Sequence, residues 1–352
     1  MIDSRYPKSF GSDNHSGVHP EVLRAMVAAN EGDALPYGDD GWTAALEEQI
    51  KVEFGAAATG FPVLNGAGAN MVGLALMLNR RYDAIICPDT AHIAGSEAGA
   101  AERLLGVKLL TTPTPDGKLV PEDIRRHLSD VGNVLAVQPR VVSISQVTEL
   151  GTCYTPDEIS ALATAAHGAD LLLHMDGARL ANAAAFLNCS LRDITTDAGV
   201  DIVSFGATKN GALAAEALII LNPSLLPGAQ HLRRQSLQLA SKMRFISAQL
   251  SALLTDNLWH TNAAHANAMT ARLAAGLSDL PQISFAYPVQ SNAIFATLPE
   301  KAIATLQNRY TFHIWDASTG TVRWMTAFDT TPTNIDDFLT DIRTTLRDSS
   351  PI

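Results

Sequence analysis

Asp201-Ile-Val-Ser-Phe-Gly-Ala-Thr-Lys209-Asn-Gly211 is the stretch on which the fold turns. Its apolar start reads as a strand, its Gly-Ala-Thr as a tight small-residue turn, and Lys209 as a lone cation placed just past the strand. The chain then becomes apolar again from Ala212 to Leu221. Working outward, short apolar runs alternate with helical patterns. Strands are expected at Pro62–Leu64, Asp83–Cys87, Val141–Ile144, Leu171–Met175, Ile202–Phe205 and Leu218–Leu221. Helices are expected at Pro20 onward, Thr43–Phe54, Asn70–Asn79, Ser96–Leu105 and Asp157–His167. Strands alternating with helices predict an α/β chain built on a mostly parallel sheet. Beyond Leu225 the pattern changes. One long helical stretch covers about 230–277, followed by β-like segments at Ile283–Leu298 and Thr321–Ala327 and helices at Lys301–Asn308 and Asn334–Leu346. That predicts a large domain over residues 1–250 and a smaller α/β domain over 251–352.

At 352 residues, with 47% hydrophobic and 17% charged residues, the chain has a globular composition and length enough for a large core. A formal net charge of −11 with no basic block argues against nucleic acid as a partner. Cys87, Cys153 and Cys189 are scattered and form no C-x-x-C pair, which reads as reduced thiols in a cytoplasmic protein. Met1–Asp13 is polar and unlike a secretory leader. The most apolar run, Ala212–Leu221, carries Glu216 and is shorter than the roughly 20 residues a bilayer requires.

A buried lysine is costly unless it is paired or neutralised. Condensation with an aldehyde neutralises it, and pyridoxal 5′-phosphate (PLP) is the cofactor that works this way. PLP also needs an acid beside its pyridine nitrogen. Asp176, in Leu171-Leu-Leu-His-Met-Asp176-Gly-Ala-Arg179, sits at a strand's carboxyl end, where ligands collect in open parallel sheets. Alone it reads equally well as a helix cap, with Arg179 as its salt-bridge partner. Asn65-Gly-Ala-Gly-Ala-Asn70 precedes a helix and exposes backbone N–H groups to an anion, although it is neither a P-loop nor G-x-G-x-x-G. A tight strand-to-helix turn is the plainer reading. His92, in Asp89-Thr-Ala-His92, holds another strand-end position. No metal-ligand set stands out.

With these residues in place the chain resembles the low-specificity L-threonine aldolases of the PLP-dependent β-eliminating-lyase group, which have the aspartate aminotransferase-like fold (fold type I). The resemblance rests on His174-Met-Asp-Gly-Ala-Arg179 with its downstream lysine. It is supported by Ser12-Asp-Asn-His-Ser-Gly17, Tyr37-Gly-Asp-Asp40, Thr90-Ala-His92, Thr208-Lys-Asn-Gly211, Ser241-Lys-Met-Arg244 and Val322-Arg323.

The resemblance implies that Lys209 carries PLP, Asp176 holds the pyridine nitrogen and His92 stacks on the ring. It implies that Gly66, Ala67 and Thr208 contact the phosphate, with Arg244 reaching it from a neighbouring subunit. Ser12, Arg179 and Arg323 would hold the substrate carboxylate, Tyr37 would also bind substrate, and the assembly would be a homotetramer. The implied reaction is cleavage of L-threonine, L-allo-threonine and related L-β-hydroxy-α-amino acids to glycine and an aldehyde. Alternatives are a PLP-dependent β-eliminating lyase or aminotransferase, and a non-catalytic PLP-binding homologue.

Two departures stand out. Many relatives carry a second histidine near the β-hydroxyl where this chain has Leu135. That leaves His92 as the expected base and suggests a preference for bulky β-aryl serines over threonine. Four residues after His92, where an acid is common, stands Ser96, followed by Glu97.

Overall fold

The computed structural model describes residues 9–348; residues 1–8, which begin the polar N-terminal stretch, lie outside it. In chain order the elements are α1 (Pro20–Ala28), α2 (Gly41–Phe54), β1 (Thr59–Val63), α3 (Gly66–Met77), β2 (Asp83–Pro88), α4 (His92–Gly95), β3 (Lys108–Thr112), α5 (Pro121–Arg126), β4 (Gln138–Ser145), α6 (Pro156–His167), β5 (Leu172–Gly177), α7 (Leu180–Leu187), β6 (Ile202–Gly206) and β7 (Glu216–Ile220). There follow α8 (Ala229–Gln235), α9 (Arg244–Leu254), α10 (Leu258–Leu277), β8 (Ser284–Phe285), β9 (Ala293–Thr297), α11 (Glu300–Gln307), β10 (His313–Asp316), β11 (Thr321–Met325) and α12 (Pro332–Asp348).

The first seven strands form one sheet in the order β1-β7-β6-β5-β4-β2-β3, with β7 antiparallel to both its neighbours. The remaining pairs are parallel. β2, β6 and β7 are buried along their whole length, as strands covered by helices on both faces must be. Residues such as Leu173, Met175, Val203 and Ile219 pack into one core, whereas Met71, Leu74, Ile202 and Leu218 fill another beneath α3. A second sheet, β10-β11-β9-β8, packs with α10 and α12 around Trp324 and Phe338. Phe10, from the N-terminal end of the described chain, stacks on Phe338 at 4.3 Å.

The chain departs from the sequence expectation at several points. The predicted helix at Ser96–Leu105 is only a π-helical turn, Ala101–Leu105, because Ala98 and Gly99 take positive φ and break the helix before it. The long helix expected over about 230–277 is divided into α8, α9 and α10, with Asp256 and Asn257 left-handed at the last break. β3 and β10, which are not among the expected strands, are edge strands with largely exposed or half-buried side chains, so no buried face marks them in the sequence.

Candidate active site

β2, β4, β5 and β6 deliver their carboxyl ends to one cavity of about 360 Å³, within the range usual for small-molecule sites. Lys209, Asp176, His92, Gly66, Ala67, Thr208 and Arg179, all singled out from sequence, line it. Lys209 sits in a 3-10 turn, Thr208–Asn210, closed by Gly211 at φ 108°, a conformation that favours glycine. Burial, with Arg179 nearby, pulls its ammonium below the usual lysine range against the attraction of Asp13, Asp176 and Glu216. A lysine so placed gives up its proton more easily than a solvated one, which favours its use as a nucleophile.

Asp176 is held from two sides. Its Oδ1 accepts from the Ala178 N–H at 3.0 Å and its Oδ2 from Asn70 Nδ2 at 2.9 Å. The same Asn70 nitrogen donates to Glu97 Oε1 at 2.9 Å, and that oxygen lies 2.8 Å from His92 Nδ1. Glu97 thus acts as the partner acid of His92 despite its one-residue offset, because the short helix α4 ends at Ser96 and brings Glu97 back beside the His92 ring. The bond to Glu97 raises the His92 pKa against the opposing effect of burial. Under Asp176, His174 is fully buried between the Ser143 and Ser204 hydroxyls, and burial lowers its pKa to about 4.

Arg179 is not the partner of Asp176, as the sequence suggested. It makes a two-pronged ion pair with buried Asp13, with bonds of 2.7 and 2.9 Å. The N-terminal turn that carries Asp13 folds over the sheet end, a placement no local pattern reveals. Asp13 also accepts from Asn292 Nδ2 at 3.1 Å. Arg323 on β11 donates to the Gly11 carbonyl at 3.1 Å, and burial together with Arg179 brings it down to about 10. Two guanidiniums therefore lie near one another beside the cavity. Ser12 caps the Asp13–His15 turn through Asn14 N, and Asn14 rather than Ser12 reaches the cavity wall.

Tyr37 and Arg244 lie outside this cavity. Tyr37 N–H bonds to Ser241 O, Arg234 stands 5.3 Å over the Tyr37 ring, and Arg244 donates to Gly32 O. Leu135 is also elsewhere. It is 93% exposed on the loop before the amino end of β4, whereas the cavity lies beyond that strand's carboxyl end. Within this chain it occupies no substrate pocket.

Sequence reasoning missed Glu149 and Glu216. Glu216 was visible as the charge in an apolar run. It accepts from Ala207 N at 2.6 Å, and burial raises it to about 7. Glu149 accepts from Ser145 Oγ at 2.7 Å and from His92 N at 2.8 Å. Burial raises its pKa too, with Asp176 adding repulsion.

The donor set fits PLP. Lys209 offers an amine to the aldehyde and Asp176 a fixed carboxylate to the pyridine nitrogen. At the start of α3 the Asn65 side chain takes the Gly68 N–H at 2.7 Å, and the Gly66 and Ala67 N–H groups beside it line the cavity for an anion. A Cβ on Gly68 would lie 2.2 Å from the Gln238 side chain, whose Oε1 fixes Leu64 N, so only glycine lets the α3 entry pack this closely.

Sheet order, strand-end lysine and aspartate together define a fold-type I PLP enzyme. The beta-eliminating lyase family model matches residues 9–300. Low specificity L-threonine aldolases from a Pseudomonas strain and from Pseudomonas aeruginosa are both 39% identical to this chain. Each alignment covers 96% of it and 97% or 98% of the relative. The structure of Leishmania major threonine aldolase superposes with a TM-score of 0.90 at 33% identity, covering 98% of this chain and all of that one. The chain belongs to the beta-eliminating lyase family, within its low-specificity threonine aldolase branch. It is a carbon–carbon lyase with PLP as cofactor. Among the described residues no helix is long and apolar enough to cross a membrane.

Proposed function

We propose that the chain reversibly cleaves L-threonine, L-allo-threonine and other L-β-hydroxy-α-amino acids, phenylserine among them, to glycine and an aldehyde. The observation that carries this reading is the meeting of Lys209, Asp176, His92 and Arg179 in one cavity. Full-length similarity to two aldolases supports it. Bound there, PLP supplies a sink for the electron pair released when the Cα–Cβ bond breaks.

The chain's own residues do the rest. Lys209 holds the cofactor covalently. Asp176, fixed by Asn70 and Ala178, would hold the ring nitrogen's proton. His92, in the same cavity wall, would lie beside the bound cofactor. The N–H groups of Gly66 and Ala67, with the Thr208 hydroxyl, take the phosphate. Arg179 and Arg323, with the Ser12 turn, orient the substrate carboxylate, a geometry guanidinium suits because it offers paired donors. Orienting the carboxylate fixes which bond at Cα is set to break. The hydroxyl proton leaves at the end of the cavity where His92 and Glu149 lie side by side.

Tyr37 and Arg244, remote from their own cavity, serve the site of a neighbouring copy in a cytoplasmic homotetramer. The position of Leu135 gives no ground for favouring aryl substrates over threonine. Absorbance of the purified protein in the visible, with glycine and acetaldehyde produced from L-threonine, is the expected result. Pyruvate and ammonia, or a keto acid, would instead assign elimination or transamination. A bound cofactor that leaves every amino acid unchanged would point to a non-catalytic homologue.

A further inference from the structure

Glu97 and Glu149, both in the cavity wall, each keep one oxygen closed off from solvent and without a hydrogen-bond partner. The paired oxygen of Glu97 is tied to the His92 ring and to Asn70 beside Asp176, whereas that of Glu149 meets a hydroxyl and a backbone N–H. Glu149 is therefore the one not engaged with the side chains that serve the cofactor. Its Oε1 is fully used by Ser145 Oγ and the His92 N–H. Its Oε2 is closed off from solvent and has no hydrogen-bond partner. A buried carboxylate oxygen left unpaired is unfavourable, so a site that keeps one has a use for it. His92, by contrast, has its Nδ1 committed to Glu97, so only Nε2 of its ring remains available. Ser145 and His92 touch Glu149 directly, and Asp176, Arg179, Cys87 and Tyr154 are close enough to interact with it electrostatically. Of these, Asp176 is spent on the ring nitrogen, and Cys87 and Tyr154 are buried with pKa values raised by that burial.

The geometry points to Glu149 as the catalytic base that takes the β-hydroxyl proton of the substrate, with His92 as its positioned neighbour. This rests on the aldolase reading above. In the cleavage direction the substrate O–H bond breaks and its proton passes to Glu149 Oε2. The O–H electron pair becomes the second carbon–oxygen bond of the aldehyde. The Cα–Cβ bond breaks, its pair stays with the glycine fragment, and Cα later takes up a proton. Desolvation of Glu149 makes it a stronger base than a solvated carboxylate, which suits proton transfer near neutral pH.

Glu149→Gln is the deciding variant. Its amide oxygen can still accept from Ser145 and His92 N–H, so a purely structural role survives it, while the nitrogen that replaces Oε2 can accept no proton. Glycine has no β-hydroxyl, so its binding, followed through the cofactor absorbance, reports on the rest of the site. With the PLP-loaded enzyme, E149Q is expected to lose about a hundredfold in kcat on L-threonine while its glycine Kd stays within about threefold. Glu149→Asp, which retains a retracted carboxylate, should recover part of the rate. A loss of about tenfold or less in E149Q overturns the assignment, and so does a parallel loss of glycine binding. Wild-type protein that binds glycine but cleaves no β-hydroxy amino acid removes the aldolase reading, and this assignment with it. A wild type that cleaves alongside an equally active E149Q removes the assignment alone.

Discussion

Glu97 Oε1 lies 2.8 Å from His92 Nδ1, and Asn70 ties that same oxygen to Asp176. The residue expected over the cofactor ring and the residue expected under its nitrogen are thereby joined through one amide. Because Glu97 raises the pKa of His92, the pairing adds stability that is fully present below the unfolded value near 6.5 and is lost as pH rises through the folded value. Glu97→Gln should lower the His92 pKa, as read by the NMR titration of its imidazole. It should also narrow the stability difference between mildly acid and alkaline pH. An unmoved titration would mean that the bond has no electrostatic consequence.

Asp13 and Arg179 form a buried two-pronged pair. Burial opposes ionisation of Asp13, but Arg179, helped by Lys209, outweighs it and holds the carboxyl below its usual range. Its contribution is therefore present above the unfolded value of 3.8 and is lost as pH falls through the folded value. Asp13→Ala should cost about 2 kcal/mol in urea denaturation at neutral pH, because it leaves the partly buried Arg179 without its partner. It should also raise KM for amino-acid substrates, since Arg179 loses its orientation.

Lys209→Ala should lose covalent attachment of PLP, seen as loss of the borohydride-reducible adduct, and at least about a thousandfold in turnover. Asp176→Ala should keep the adduct yet lose about a hundredfold or more in cleavage, because the ring nitrogen loses its counter-charge. Near-wild-type cleavage by either variant would contradict the site.

Gly206 ends β6 three residues before Lys209. A Cβ there would lie 2.5 Å from the Ala178 carbonyl oxygen and 2.6 Å from its Cα, both of them backbone atoms that cannot swing aside. Gly206→Ala should therefore force β6 from β5, costing about 2 kcal/mol or more. PLP affinity should weaken as Lys209 and Asp176 separate. Unchanged stability and affinity would show that the two strand ends tolerate the shift.

Local pattern in the sequence determined the alternation of strands and helices, the small-residue turn that carries Lys209, the strand-end position of Asp176 and the anion-ready start of α3. Each follows from nearest-neighbour chemistry, namely apolar runs, turn residues and caps. Only the tertiary structure decided what those groups meet. Asp13 reaches Arg179 from the far N-terminal turn, Glu97 reaches His92 across the short helix α4, and Glu149 arrives from the turn after β4 with one oxygen unpaired. It also moved Leu135 out of the site, since its place before β4 puts it at the opposite end of the sheet. Charge pairing depends on burial and on distances across the fold. Neither is encoded in a short window of sequence, so the nucleophile and its acid were legible while the electrostatics around them were not.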